Sequence, residues 1–199
     1  MKNTNMKRRT FLKVSTIAGG SLLVGCSFSS PKLMSTPQAS EEELGMWVRI
    51  GTDDKITLIL PASEMGQQAH TGQAMLVAEE LETDWNSIQV LHAPYHSEFI
   101  NSAADPRNVQ VTGGSSSISF WWEKLRQVGA GTREMLIEAA AQKWGVPASE
   151  CKAESGRVRH SGSGRSLSYG QLASAAAKLS PPDDPVLKSP QQFRLIGKS

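Results

Sequence analysis

The chain has 199 residues, of which 39% are apolar and 20% charged, the makeup of one globular domain rather than a disordered segment. Its 21 basic and 19 acidic residues give a net charge of +2, but Lys2, Lys7, Arg8, Arg9 and Lys13 all precede Cys26, and without those five the charge is −3. A slightly acidic body offers no electrostatic footprint for nucleic acid, so that partner is excluded. Two cysteines, Cys26 and Cys151, supply no CxxC metal pattern.

Residues 1–26 read as a targeting segment. Arg8-Arg9-Thr10-Phe11-Leu12-Lys13 resembles the twin-arginine signal pattern RRxFLK, with Lys7 in place of the usual leading hydroxyl residue. The apolar stretch from Val14 to Gly25 is about a dozen residues, short of the roughly 20 that span a bilayer, and suits a signal h-region. Leu23-Val24-Gly25-Cys26 resembles a bacterial lipobox, making Cys26 the candidate lipidation site. The competing reading is an ordinary signal peptide with a chance cysteine near its cleavage site. The expectation is export by the twin-arginine route to the periplasm, with a lipid anchor in the inner or outer membrane. That route carries folded proteins, commonly around a cofactor, which adds weight to a cofactor site. Residues 27–44, rich in Ser, Pro, Gln and Glu, suit a flexible tether, and the body is expected over 45–199.

Within the body, Met46–Ile50 and Lys55–Leu60 alternate around Gly51-Thr52-Asp53-Asp54 and predict a hairpin with one buried face. SEMGQQAHTG (63–72) follows as a turn into a helix, with Ala74, Val77, Ala78 and Leu81 at helical spacing and Glu79, Glu80 and Glu82 expected on its surface. Ser87–Ala93 is a third strand candidate, and 94–110 reads as a long loop. Val111-Thr112-Gly113-Gly114-Ser115-Ser116-Ser117 leads into a long helix within 118–144. Arg157–His160 and Ser166–Tyr169 are short strand candidates around Ser161-Gly162-Ser163-Gly164, and Leu172, Ala176 and Leu179 predict a short last helix. The fold class is α+β, a mixed sheet with packed helices.

Two stretches stand out chemically. Gln67 and Gln68 bring two side-chain amides, donors and acceptors suited to the edge of a heterocycle or a phosphate, though ordinary on a surface. The Gly114–Ser117 stretch before a helix reads either as an anion cradle at the helix N-terminus or as a plain serine N-cap. It lacks the GK[ST] ending of a nucleotide triphosphate loop. His92 and His96 flank Pro94 in a strand-to-loop context, so helical metal spacing does not apply. Glu64 and His70 have no evident third partner, and Ser115 is not in a GxSxG elbow. Trp121 and Trp122 read as packing residues, with stacking on a cofactor as the alternative. A serine hydrolase is disfavoured because no triad is legible, and no pair of carboxylates stands out as an acid–base couple.

Taken in order, Glu64-Met65-Gly66-Gln67, Thr71-Gly72, Ala78-Glu79-Glu80-Leu81, Thr112-Gly113-Gly114-Ser115-Ser116-Ser117, Leu125-Arg126, Gly129-Ala130, Gly156-Arg157-Val158, Tyr169-Gly170 and Leu187-Lys188 resemble the N-terminal part of a known large subunit. It is the molybdopterin-binding (beta) subunit of isoquinoline 1-oxidoreductase and membrane-associated aldehyde dehydrogenases, in the xanthine oxidase family of molybdenum hydroxylases. The resemblance implies a molybdopterin cofactor, as the cytosine dinucleotide, and oxidation of aldehydes or N-heterocycles with water-derived oxygen. It implies as partners the remainder of the large subunit, a small subunit with two [2Fe–2S] clusters, and a cytochrome c electron acceptor. Carried over by position, cofactor contacts fall on Met65, Gly66, Gln67, Gly114, Ser115, Ser116 and Ser117, with no catalytic or metal-ligating residue assigned. Gln68 stands where the family usually has glycine, at a cost in backbone energy if φ is positive. The family's glycine–phenylalanine loop and late catalytic glutamate find no match in this sequence, so the expectation is a partial domain, inactive alone. The alternative is a lipid-anchored periplasmic binding or scaffold module that has lost the cofactor.

Overall fold

The computed structural model describes residues 13–17, 21–25 and 46–198; Cys26, the paired arginines and the segment 27–44 lie outside them. Strands β1 (Lys13–Ile17) and β2 (Ser21–Gly25) come from the stretch read as an h-region. They are followed by β3 (Val48–Ile50), β4 (Ile56–Leu60), helix α1 (Ala69–Leu81) and β5 (Ile88–His92). Helix α2 (Trp122–Trp144), strands β6 (Cys151–Glu154), β7 (Arg157–His160) and β8 (Ser166–Ser168), and helix α3 (Tyr169–Ala176) complete the order. The first sheet runs β1-β2-β3-β4-β5, antiparallel except for β4 and β5, which pair in parallel from Ile56↔Ile88 to Leu60↔His92. A parallel pair needs a crossover, and α1 supplies it. The second sheet, β6-β7-β8, is antiparallel.

The hairpin read from sequence forms as expected, with Val48↔Leu58 and Ile50↔Ile56 facing one another. Ile50, Ile56, Leu58 and Leu60 are fully buried beneath Leu76, Leu81, Leu125 and Leu136 of the helices. Helices α1 and α2 approach to backbone contact at Gly129, where an added Cβ would lie 2.5 Å from the Val77 carbonyl oxygen. Trp121 packs on Trp47 at 5.6 Å between ring centres, which bears out its packing reading. The long loop is expected too, though it carries a 3-10 turn at Ser97–Phe99 that drives Phe99 against Trp47.

Two expectations are corrected. Glu79 and Glu80 are not on the surface: they are 2% and 0% exposed. Glu80 accepts hydrogen bonds from Arg126 (2.7 Å) and Arg133 (3.3 Å) and from the Lys188 backbone N–H (3.0 Å). Glu79 pairs with the Lys188 ammonium and takes the N–H groups of Arg194, Leu195 and Ile196 at 2.7–3.1 Å. Helical spacing marks a face but not what later chain covers it, and here residues 186–196 form a strap across α1 and α2. The second correction is β6, a strand not expected from sequence: Cys-Lys-Ala-Glu alternates apolar and charged residues, but four residues are too few to mark a strand without the pairing with β7 that fixes it.

Candidate functional site

The parallel pair directs the site. Three segments leave the C-terminal ends of β4 and β5 or meet there: 61–68, 93–96 and 111–117. In open parallel sheets the crevice beyond the carboxyl ends of the strands is the usual ligand position, and the one parallel pair here makes such an edge locally. Side chains knit the segments together. The Ser63 N–H donates to Thr112 Oγ1 (2.7 Å), and Gln110 donates to the Ala93 carbonyl (3.2 Å) while accepting from the His96 N–H (3.1 Å). Gln73, on α1 and fully buried, donates to the Ser117 carbonyl (2.7 Å) and accepts from the Ala62 N–H (3.4 Å). It therefore ties the start of the first segment to the end of the third. Gln73 was missed from sequence; its one signal is a polar residue on the apolar face of α1. Between the segments lies an open depression of about 370 Å3, lined by Ser63, His92, Tyr95, Gln110 and Thr112 among others. Ser63 Oγ and His92 Nε2 are 3.1 Å apart, and His70 Nε2 donates to the Ala62 carbonyl at 2.7 Å.

The turn holding Met65, Gly66 and Gln67 is largely closed on itself. Gly66 has φ +94° and Gln68 has φ +60°, a left-handed conformation that an amide side chain adopts at a cost. The Glu64 carboxylate accepts from the N–H groups of Gly66 (2.8 Å), Gln68 (2.9 Å) and His70 (3.0 Å). Those bonds, the one from His70 foremost, hold its carboxyl below the usual glutamate value. Glu64 thus has the partners that the sequence left unseen: it sits where an anion would sit at the N-terminus of α1. Gln67 accepts from the Met65 N–H (2.6 Å) and donates to the Ser63 carbonyl (2.9 Å). One amide hydrogen of Gln67, and the whole Gln68 amide, face solvent without a partner among the described residues.

The loop 113–117 differs. Ser116 turns inward, 7% exposed, donating to the Gly113 carbonyl (2.9 Å) and accepting from Asn101 Nδ2 (2.7 Å). It shapes the loop and is not an outward donor, and the Ser117 carbonyl is held by Gln73. Gly113, Gly114 and Ser115 are exposed, with φ +61° at Gly114 and +53° at Ser115. Their backbone N–H groups have no partner among the described residues, and nothing lies within 4 Å of a Cβ placed on Gly113. Helix α2 begins only at Trp122, with Trp121 at its N-cap and no side-chain cap bond. Both sequence readings of this stretch are therefore corrected. It is neither a cradle at the helix end nor a serine N-cap, because insertion of Trp121 into the core separates loop from helix.

Free N–H groups at 113–115, the Gln68 amide and one amide hydrogen of Gln67, with an adjoining open depression, make a donor-rich rim beside the Glu64 carboxylate. Such a rim suits a polar heterocycle carrying phosphate. The profile of the molybdopterin cofactor-binding domain matches residues 4–195. The chain belongs to that family. The beta subunit of isoquinoline 1-oxidoreductase from Brevundimonas diminuta is 31% identical over 87% of this chain and 22% of its own length. A membrane-bound aldehyde dehydrogenase of Gluconacetobacter polyoxogenes is 29% identical over all of this chain and 26% of its own. A nicotinate dehydrogenase subunit from Pseudomonas putida is 26% identical over 82% of this chain and 13% of its own. The chain thus spans about a quarter or less of these relatives.

The donor set is compatible with a molybdopterin: Gly113, Gly114 and Ser115 present backbone N–H groups that could meet an anionic group, Gln67 and Gln68 present amide hydrogens that could meet a ring edge, and Ser116 and Gly66 hold loop shape. Met65 is 70% exposed at the tip of its turn. Among the described residues no group of His, Cys, Asp and Glu could hold a metal ion directly.

Proposed function

We propose that this chain forms one wall of the cofactor site in the large subunit of a molybdenum hydroxylase acting on aldehydes or N-heterocycles. The observation that carries the reading is the row of unpartnered N–H groups at Gly113, Gly114 and Ser115, held beside the 63–68 turn by Gln73. Preorganised backbone donors recognise anionic groups without paying for reorganisation on binding. When bound, a molybdopterin in its cytosine dinucleotide form supplies the redox chemistry; these residues bind and orient it. The remaining partners of the reading are the rest of the large subunit, a small [2Fe–2S] subunit and a cytochrome c acceptor. Its cellular setting is the periplasm, reached by the twin-arginine route and kept at the membrane through lipid on Cys26, a processing that would remove β1 and β2 and leave β3 at the edge of the first sheet.

One observation favours a second reading, a lipid-anchored binding or scaffold module without cofactor. Glu64 already fills the anion position at α1, and Gln68 keeps a strained backbone there. A single experiment separates the two. The chain is co-expressed with the remaining part of a relative's large subunit in cells that make molybdopterin, and bound pterin is measured by fluorescence after oxidation, for wild type and Gly113→Asp. Gly113 has open space around it, so the new carboxylate leaves the fold intact while repelling an anion. Pterin in the wild type that drops severalfold in the variant supports the cofactor wall. Equal pterin in both rejects this loop as the contact, and none in either supports the module without cofactor.

A further inference from the structure

The hairpin joining β7 to β8 lies in the second sheet and belongs to none of the three segments of the cofactor rim. It carries a constellation invisible in the sequence. His160 Nδ1 is 2.7 Å from Ser163 Oγ, and His160 Nε2 is 2.8 Å from Glu150 Oε2. The tautomer follows from the backbone: the Ser163 N–H donates to Nδ1 at 3.2 Å, so Nδ1 is an acceptor and Nε2 carries the hydrogen toward Glu150. Ser163 Oγ in turn accepts from Arg165 Nε at 2.7 Å, which leaves the hydroxyl hydrogen for Nδ1. The imidazole is 6% exposed, while Ser163 is open to solvent. Arg165 is steadied by stacking on Trp144, 5.5 Å from the ring centre.

Turn closure does not require this relay. The hairpin is already closed by His160 N–H to the Arg165 carbonyl (2.9 Å) and Gly164 N–H to the His160 carbonyl (3.0 Å). Glu150 comes from outside the hairpin; its backbone carbonyl accepts the Ser161 N–H at 3.0 Å, so the strand-to-loop contact is made without its carboxylate, which is turned to His160. What the side chains do assemble is a hydroxyl nucleophile, a neutral imidazole base with its tautomer fixed by a carboxylate, and a guanidinium against the oxygen. This is the arrangement of roles that activates serine in acyl transfer, recognised by geometry rather than by position in the chain.

We propose that Ser163 is an activated nucleophile that takes the acyl group of small activated esters, with His160 as its general base. Ser163 Oγ attacks the acyl carbon while its proton passes to His160 Nδ1. The ester C–O bond breaks, and the departing oxygen takes that proton. Water repeats the sequence, releasing the acid and restoring the serine. Arg165 faces the oxygen on which charge changes, and Glu150 is a positioning residue acting through His160. The site lies on an open surface, so it fits small esters and phosphonate electrophiles rather than an extended chain.

The test uses the full chain with p-nitrophenyl acetate as substrate and a fluorophosphonate as covalent label, located by peptide mass analysis. The expected result is label on Ser163 and hydrolysis at least about a hundredfold faster than in Ser163→Ala, the scale of a positioned general base. Ser161→Ala, a neighbouring exposed serine outside the relay, is the control that keeps the wild-type rate. His160→Gln is expected to lose labelling with the thermal midpoint monitored alongside, and Glu150→Asp to keep activity that Glu150→Gln loses. Equal hydrolysis in wild type and Ser163→Ala, label on another residue, or full labelling of a folded His160→Gln would each overturn the proposal.

Discussion

The two ends of α1 use the same device in opposite surroundings. At the N-terminal end Glu64 gathers three backbone N–H groups of its own turn in open solvent. At the C-terminal end Glu79, itself buried, gathers three from the half-buried strap, more than a hundred residues away in sequence. Burial decides what each cluster is for. In water a carboxylate that leaves its donors is rehydrated, so the first end can be rearranged around a ligand. Inside the protein, departure strands several buried polar groups at once, so the second end is a lock.

Breaking the lock should have the largest effect. Glu80→Ala leaves Arg126 and Arg133 without their buried partner and is expected to cost about 3–5 kcal/mol in urea unfolding. A loss no greater than that from changes at the other end would erase the contrast. Acid should act on the same end. Burial pushes the Glu79 carboxyl up, but the Lys188 ammonium and the strap N–H groups outweigh it and hold the folded value below the ordinary 4.5. A depressed carboxylate contributes stability that is fully present above its unfolded value and is lost as pH falls through the folded one. The thermal midpoint should therefore drop on titration below about pH 4.5, and Glu79→Gln should flatten that drop.

At the site end, Gln73→Leu removes the bonds to Ser117 and Ala62 and leaves a half-buried carbonyl and a buried N–H unsatisfied. A cost of about 1–3 kcal/mol is expected, together with faster amide exchange in both 62–68 and 112–117. Exchange confined to one segment would mean that Gln73 does not join them. The smallest effect is a gain: Gln68→Gly relieves the left-handed backbone and should stabilise by about 0.5–1 kcal/mol in the same unfolding assay.

Much of this was legible in advance. Val48, Ile50, Ile56, Leu58 and Leu60 alternate, and alternation with a turn between is enough to set a hairpin. The order of short motifs from Glu64 to Lys188 carried the family. What was hidden lay in contacts between distant residues. Glu79 and Glu80 occupy helix positions that look solvated until the strap is known to cross them. Gln73 looks like an ordinary helix polar residue until Ser117 arrives beside it. Ser116 is indistinguishable in sequence from Ser115, and only Asn101 turns it inward. His160 and Glu150 are ten residues apart with a strand between, a spacing that carries no pattern.

The strap also bears on how the chain comes together. Its bonds to Glu80 and Glu79 span 108 to 117 residues, and the entropy of closing such a loop must be met before any of them forms. The surface they grip is made by α1 and α2, whose contact is closer in sequence and tight enough to exclude a Cβ at Gly129. The strap's bonds to α2, between Val186 and Arg133 or Glu134, span only 52 to 53 residues, so α2 is its near anchor and the docking of residues 186–196 over α1 is what dehydrates two adjacent carboxylates.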